Sequence, residues 1–199
     1  MYLINSHMKF KVVILFFISV LSIGCSNNSN NVQDKSESPS ENVIKFLDIP
    51  IRGNISDFSY ALCNRGFECL NESTPAFIGT FNNMDAIIVP MIRNNNVHTV
   101  YVQFYECNGT DAIYSYNKLF SQLLNNTKYI KEVGDFINQQ YNSNFSVIKE
   151  NNFTSVFTLK DNNINGKVSL FIINSSDNIY HLCMLYENLD KLVSDGSEL

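Results

Sequence analysis

His181 and Cys183 stand two residues apart, so on an extended strand both side chains leave the same face. A thiol becomes a nucleophile when a neighbouring base takes its proton, and this pair is the simplest arrangement in the chain that could do so. Cys107 is a second thiol that could use the same imidazole. The competing reading is structural: small apolar thiols packed beside a core histidine. His98 or His181, paired with Glu106 or Glu187, could make an acid–base or metal site, yet no local spacing of carboxylates supports one. The chain has no Gly-x-Ser-x-Gly elbow, P-loop, His-Glu-x-x-His or Gly-x-Gly-x-x-Gly motif. We assign no catalytic residue, no metal ligand and no cofactor. The stronger candidate is a binding face built from Tyr101, Gln103 and Tyr105, because tyrosines give rigid contact area with a polar tip. Such a face suits a protein or a glycan. A hydrolase or thiol enzyme using Cys183 and His181 is the alternative.

These residues need strands to present them. Val97 to Tyr105 alternates, with Val100, Val102 and Phe104 on one side and Tyr101, Gln103 and Tyr105 on the other, the period of a half-buried strand. Asp85 to Ile92 is an apolar strand in which Pro90 predicts an edge or a bulge, and Arg93 to Asn96 is a turn. Upstream, Ile44 to Ile51 reads as a first strand or extended arm. Asn54 is a suitable N-cap for a helix from Ile55 to Arg65, with Gly66 in the left-handed position that ends it. Ala76 to Thr80 is a short strand. Ile113 to Leu124 and Ile130 to Tyr141 have helical spacing. Strands are expected at Phe145 to Lys149, Phe153 to Leu159, Lys167 to Ile173 and Ile179 to Tyr186, with turns at Asn162 to Gly166 and Asn174 to Asn178. The sum is an α+β domain over residues 43–192: an antiparallel sheet packed on one face by two or three helices. Met84 to Glu106 and Asn165 to Glu187 are equal in length and each closes on Tyr-Glu. That match suggests two duplicated helix-plus-hairpin units.

The first residues concern an address. Met8-Lys9-Phe10-Lys11 is basic, and would make as good a start as Met1; Val12 to Ile23 is apolar apart from Ser19 and Ser22. This run is well short of the roughly 20 residues a membrane-crossing helix needs, and fits an export signal over residues 1–24. Ser22-Ile23-Gly24-Cys25 resembles the lipobox of bacterial lipoproteins, although that family prefers leucine where Ser22 stands. The resemblance implies cleavage before Cys25 and acylation of its sulfur. Residues 25–42 are polar and carry one Val at 32, too little apolar surface to offset ordering, so they read as a disordered tether. The sixteen residues from Ser26 to Glu41 would span roughly 20 Å. Membrane lipid, reached through acylated Cys25, is therefore the first expected partner. Surface-exposed lipoproteins of Bacteroidetes-like bacteria often carry acids soon after the cysteine, so the resemblance, with the uncharged Ser26-Asn27-Asn28-Ser29 in that place, implies a periplasm-facing position, expected at the outer membrane. Residues 193–199 read as a flexible tail.

The whole chain has a formal charge of −5; removing Met1 to Gly24 takes away Lys9 and Lys11 and no acid, which makes it −7. No basic face of the kind nucleic acid requires is present, so no nucleic-acid partner is expected. Besides Cys25, the cysteines are Cys63, Cys69, Cys107 and Cys183. They allow two disulfides in three connectivities, or four unpaired thiols. Finally, Phe46-Leu47-Asp48-Ile49-Pro50-Ile51-Arg52-Gly53, followed by a helix ending at Arg65-Gly66-Phe67, resembles the opening of small Bacteroidetes lipoproteins of unassigned function. Their pattern has glycine where this chain has Asp48. The resemblance implies a fold and a location but no reaction. The two helix-plus-hairpin halves are also similar to β-lactamase-inhibitor-like folds.

Overall fold

Three pairs of consecutive left-handed residues fold the chain back on itself: Leu47-Asp48, Asn82-Asn83 and Asn94-Asn95, all with φ between 49° and 60°. Two positive φ values in a row make the tight turn whose twist suits a hairpin, and asparagine tolerates it best. Asp48, where the resembled pattern has glycine, takes φ 59°. The computed structural model describes residues 43–71, 75–138, 148, 153–176 and 179–190. The first turn joins β1 (Lys45–Phe46) to β2 (Ile49–Pro50), so the expected arm is a small hairpin. α1 (Ile55–Cys63) starts at Asn54, whose side chain accepts from the Ser56 N–H at 2.8 Å, and Gly66 at φ 85° follows its end.

β3 (Glu68–Asn71), β4 (Ala76–Phe81), β5 (Met84–Arg93) and β6 (Asn96–Phe104) come next. Pro90 lies beyond the last residue that pairs β5 with β4, one place before a register shift against β6. The sheet tolerates it there because no ladder bond to β4 is lost. α2 (Gly109–Asn125) begins four residues before the expected Ile113. Asn108 and Asp111 explain the earlier start: the Asn108 carbonyl accepts from the Asp111 N–H at 3.0 Å while its amide donates to the Asp111 carboxylate at 2.8 Å. Then follow β7 (Tyr129–Val133), β8 (Thr154–Leu159), β9 (Gly166–Ser176) and β10 (Ile179–Asn188).

The helix expected from Ile130 to Tyr141 is not formed. Its described part begins as β7, which pairs with β8 through Tyr129 and Leu159, Ile130 and Thr158, and Lys131 and Phe157. Gly134 at φ 103° then breaks any helical course, packed so closely that a Cβ there would meet Ser155. The strand expected at Phe145 to Lys149 lies outside the described residues except Ile148, which is buried. Residues 1–42, including the signal, Cys25 and the whole tether, and the tail at 193–199 also lie outside them.

The eight longer strands form one antiparallel sheet in the order β3-β4-β5-β6-β10-β9-β8-β7. The domain is α+β with two helices among the described residues. Its core draws on one face of the sheet: Phe77, Ala86, Ile88, Val100, Val102, Phe104, Phe157, Val168, Leu170, Ile172, Leu182, Met184 and Tyr186. Phe58 and Leu62 of α1 pack onto that face, as do Ile113, Tyr116, Leu119 and Phe120 of α2. The β1–β2 hairpin covers the same side. Phe46 touches Phe81 from the first half and Tyr186 from the second, at centroid distances of 5.1 and 5.2 Å. Ser155, fully buried, has its hydroxyl bonded to that of Tyr116. Tyr105 and Tyr186, matched by the closing Tyr-Glu of the two hairpins, differ in environment: 41% against 7% exposed.

Gly79 shows how tightly the helix side is filled, because a Cβ there would stand 2.5 Å from the buried Phe67 ring. Gly79→Ala is expected to destabilise the domain by about 1–3 kcal/mol through overpacking, read as a lower urea midpoint with an unchanged slope.

Candidate functional site

The side of the sheet facing away from the helices has no covering element among the described residues. Alternation sends Tyr101 and Gln103 of β6 to that side, because Val100, Val102 and Phe104 are in the core. The pairing of β6 with β10 sets Cys183 opposite Gln103 and Leu185 opposite Tyr101. β5 and β9 extend the two rows, giving Ile87, Gln103, Cys183 and Phe171 in one, and Val89, Tyr101, Leu185 and Ser169 in the other. Ile87, Val89, Tyr101, Gln103, Phe171 and Leu185 are all half-buried, while Cys183 and Ser169 lie low between their larger neighbours.

The two sequence hypotheses, a binding face and a thiol–histidine pair, meet in one hydrogen-bonded chain. The Tyr101 hydroxyl donates to the Gln103 carbonyl at 3.1 Å and lies 3.1 Å from the Cys183 sulfur. Gln103 presents its amide nitrogen to His181 Nδ1 at 3.2 Å. With Nδ1 accepting, the ring proton sits on Nε2, which is buried and has no partner among the described residues. Tyr105, just past β6, is the most exposed of the predicted contact residues, at 41%.

Desolvation governs the thiol and the phenol of this arrangement. Burial pushes the Cys183 thiol up to about 12, outweighing the opposite effect of the Tyr101 hydrogen bond. Burial, with Cys183 adding to it, also raises Tyr101. The His181 ring bonds to Gln103, and the sulfur bonds to Tyr101 and, at 3.7 Å, to the His181 backbone carbonyl. Thiol catalysis needs a thiolate with a base in contact, and this geometry supplies neither. Cys107, pushed up to about 11 by burial and then by Asp111, donates to the Tyr180 carbonyl at 3.6 Å. Cys63 and Cys69 are exposed, and no disulfide joins any two of Cys63, Cys69, Cys107 and Cys183.

His98 and Glu187 each have other partners as well. His98 Nδ1 lies 2.6 Å from the Thr99 hydroxyl, and Glu187 is held by Lys167 at 3.1 Å. Burial first and Arg93 second lower the pKa of His98, against a smaller opposing pull from Glu187. Among the described residues no three His, Cys, Asp or Glu side chains gather as metal ligands. Sequence reasoning missed Ile87, Val89, Phe171 and Leu185. Their signal was the period of two in β5, β9 and β10, readable only once the helix-covered side is known. No family model, curated protein or solved structure matches the chain.

Raised thiol pKa values have a definite pH consequence. For Cys183 the folded value of about 12 exceeds the ordinary 9.0, so its contribution is complete below pH 9 and lost as pH rises toward 12. The urea midpoint is expected to fall over that window, and to fall less in Cys183→Ala. At neutral pH iodoacetamide should alkylate Cys63 and Cys69 in the native protein and reach Cys183 only after unfolding, which peptide mass spectrometry checks.

Proposed function

We propose that the chain is a lipid-anchored, non-catalytic binding module of the bacterial cell envelope that holds a protein partner on the open side of its sheet. The observation that carries this reading is the one-sided distribution of the core: both helices and the β1–β2 hairpin pack on one face. The other face offers two rows of half-buried apolar and tyrosine side chains. A contiguous apolar patch rimmed by polar groups is the usual form of a protein-binding surface. Tyr101, Gln103 and Tyr105 would supply its polar contacts. The apolar neighbours favour protein over glycan here, and the net charge of −5 disfavours nucleic acid.

The anchor in this reading is acylated Cys25, supported by the basic start, the apolar run and the small residue before the cysteine. Two or more acyl chains hold a protein firmly where one is marginal. Among the described residues no helix is long and apolar enough to cross a membrane. The uncharged Ser26 to Ser29 favours the outer membrane and a periplasm-facing position.

A duplication akin to β-lactamase-inhibitor-like folds belongs to the same reading. Each half runs helix then four strands, and β6 meets β10 at the centre. An alignment that matches core with core sets Val100, Val102 and Phe104 against Leu182, Met184 and Tyr186, and Ala86 and Ile88 against Val168 and Leu170. It pairs Tyr186 with Phe104, one residue away from the Tyr-Glu match.

Two measurements test the proposal in the native host. Cys25→Ser should move the protein from the membrane to the soluble fraction and abolish acyl mass on the mature N-terminus. A photo-crosslinking residue at Tyr105 or Val89 should give a discrete protein adduct, whereas one at Tyr114, 65% exposed on α2, should not. Equal adducts from Tyr114, or none from the sheet positions, would sink the binding-face reading.

A further inference from the structure

On the helix side of the sheet, away from the proposed protein-binding face, a cleft of about 220 Å³ opens beside the C-terminal half of α2. Its walls combine three aromatic rings, from Phe81, Tyr129 and Tyr186, with three carboxamides, from Asn82, Gln122 and Asn126. Leu119, Leu123 and Met184 complete the lining, and among the described residues no carboxylate, ammonium or guanidinium borders it. We infer that this cleft is a binding site for one neutral sugar ring.

Uncommitted polar groups carry the argument. Tyr186 is only 7% exposed, yet its hydroxyl has no hydrogen-bond partner among the described residues. The hydroxyl is not fully enclosed, so it opens on the cleft with its donor and its acceptor available to an occupant. Tyr129, half-buried, also has no hydrogen bond to its hydroxyl among the described residues, and it lies within electrostatic reach of Tyr186. Asn82, Gln122 and Asn126 are exposed at the rim of the cleft; among the described residues the first two make no side-chain hydrogen bond, and Asn126 uses only its carbonyl, accepting from the Lys128 N–H at 3.0 Å. These amides and phenols offer donors and acceptors at several points around one small space. That pattern suits a ligand with several hydroxyls.

The rest of the lining narrows the class. Aromatic faces pack against the C–H faces of a sugar, and a wall without charge gives an anionic or cationic ligand nothing to pair with. The volume falls below the roughly 300–1,000 Å³ of sites for drug-sized ligands, which limits the occupant to one ring. The two halves of the domain both contribute, since Phe81 and Asn82 end the first hairpin of one half while α2, Tyr129, Met184 and Tyr186 belong to the other.

The test uses the full chain, labelled with ¹⁵N and purified in a sugar-free detergent. It is titrated with glucose, galactose, N-acetylglucosamine and, as the charged control, galacturonate. At least one neutral sugar should shift the side-chain amide signals of Asn82, Gln122 and Asn126 with a dissociation constant of roughly 1 mM. Tyr186→Phe and Gln122→Ala should each weaken that binding about tenfold without lowering the melting temperature. The inference is overturned if no neutral sugar shifts these signals up to about 20 mM, or if both variants bind like the parent chain. Galacturonate binding as well as the neutral sugars overturns it too, as do shifts confined to Tyr101 and Gln103.

Discussion

Each central strand sends alternate side chains to opposite sides of the sheet, and both helices sit on only one of those sides. Val100, Val102 and Phe104 lie beneath the helices, and Tyr101 and Gln103 between them in sequence must therefore point away. A slip of one residue would exchange the two sets and bury the polar groups without partners. The core, the uncovered face and the hydrogen-bonded chain across β6 and β10 all follow from that one register.

The helix side is held together by close approaches that leave little room for change. Phe67 lies over Gly79, Ile44 over Gly166, and Ser155 against Gly134, each nearer than a Cβ would permit. Phe46 joins the two halves, packing its ring against Phe81 on one side and Tyr186 on the other. Asn188 adds a hydrogen bond from its amide to the Ile51 carbonyl at 3.0 Å. The short N-terminal hairpin thus acts as a wedge over the centre of the sheet, where the two four-strand sets meet.

Chemistry on the open side is set by desolvation. A thiol, a phenol, an amide and an imidazole lie within hydrogen-bonding distance in series. Burial keeps the thiol and the phenol protonated far above neutral pH. The hydrogen bonds of this series hold Tyr101 and Gln103 in position. Rigid placement of that kind lowers the ordering cost of recognition, which links the electrostatics to the binding role proposed for this face.

Local rules made much of the fold legible in the amino-acid order. The Asn54 cap, the Gly66 stop, the Asn94-Asn95 turn and the alternation from Val97 depend on a few neighbouring residues and on backbone sterics, and each appears where expected. The export-like start and Cys25 are likewise properties of the sequence alone, since they lie outside the described residues. Other features needed the folded chain. Ile130 to Val133 has apolar spacing compatible with a helix, and only pairing with β8 and the break at Gly134 make it a strand. Tyr101 and Cys183 are 82 residues apart and meet because β6 and β10 adopt one register at the centre of the sheet. Which face of an alternating strand is buried, and which distant strand lies beside it, is decided by long-range packing, for which short stretches of sequence contain no physical cause.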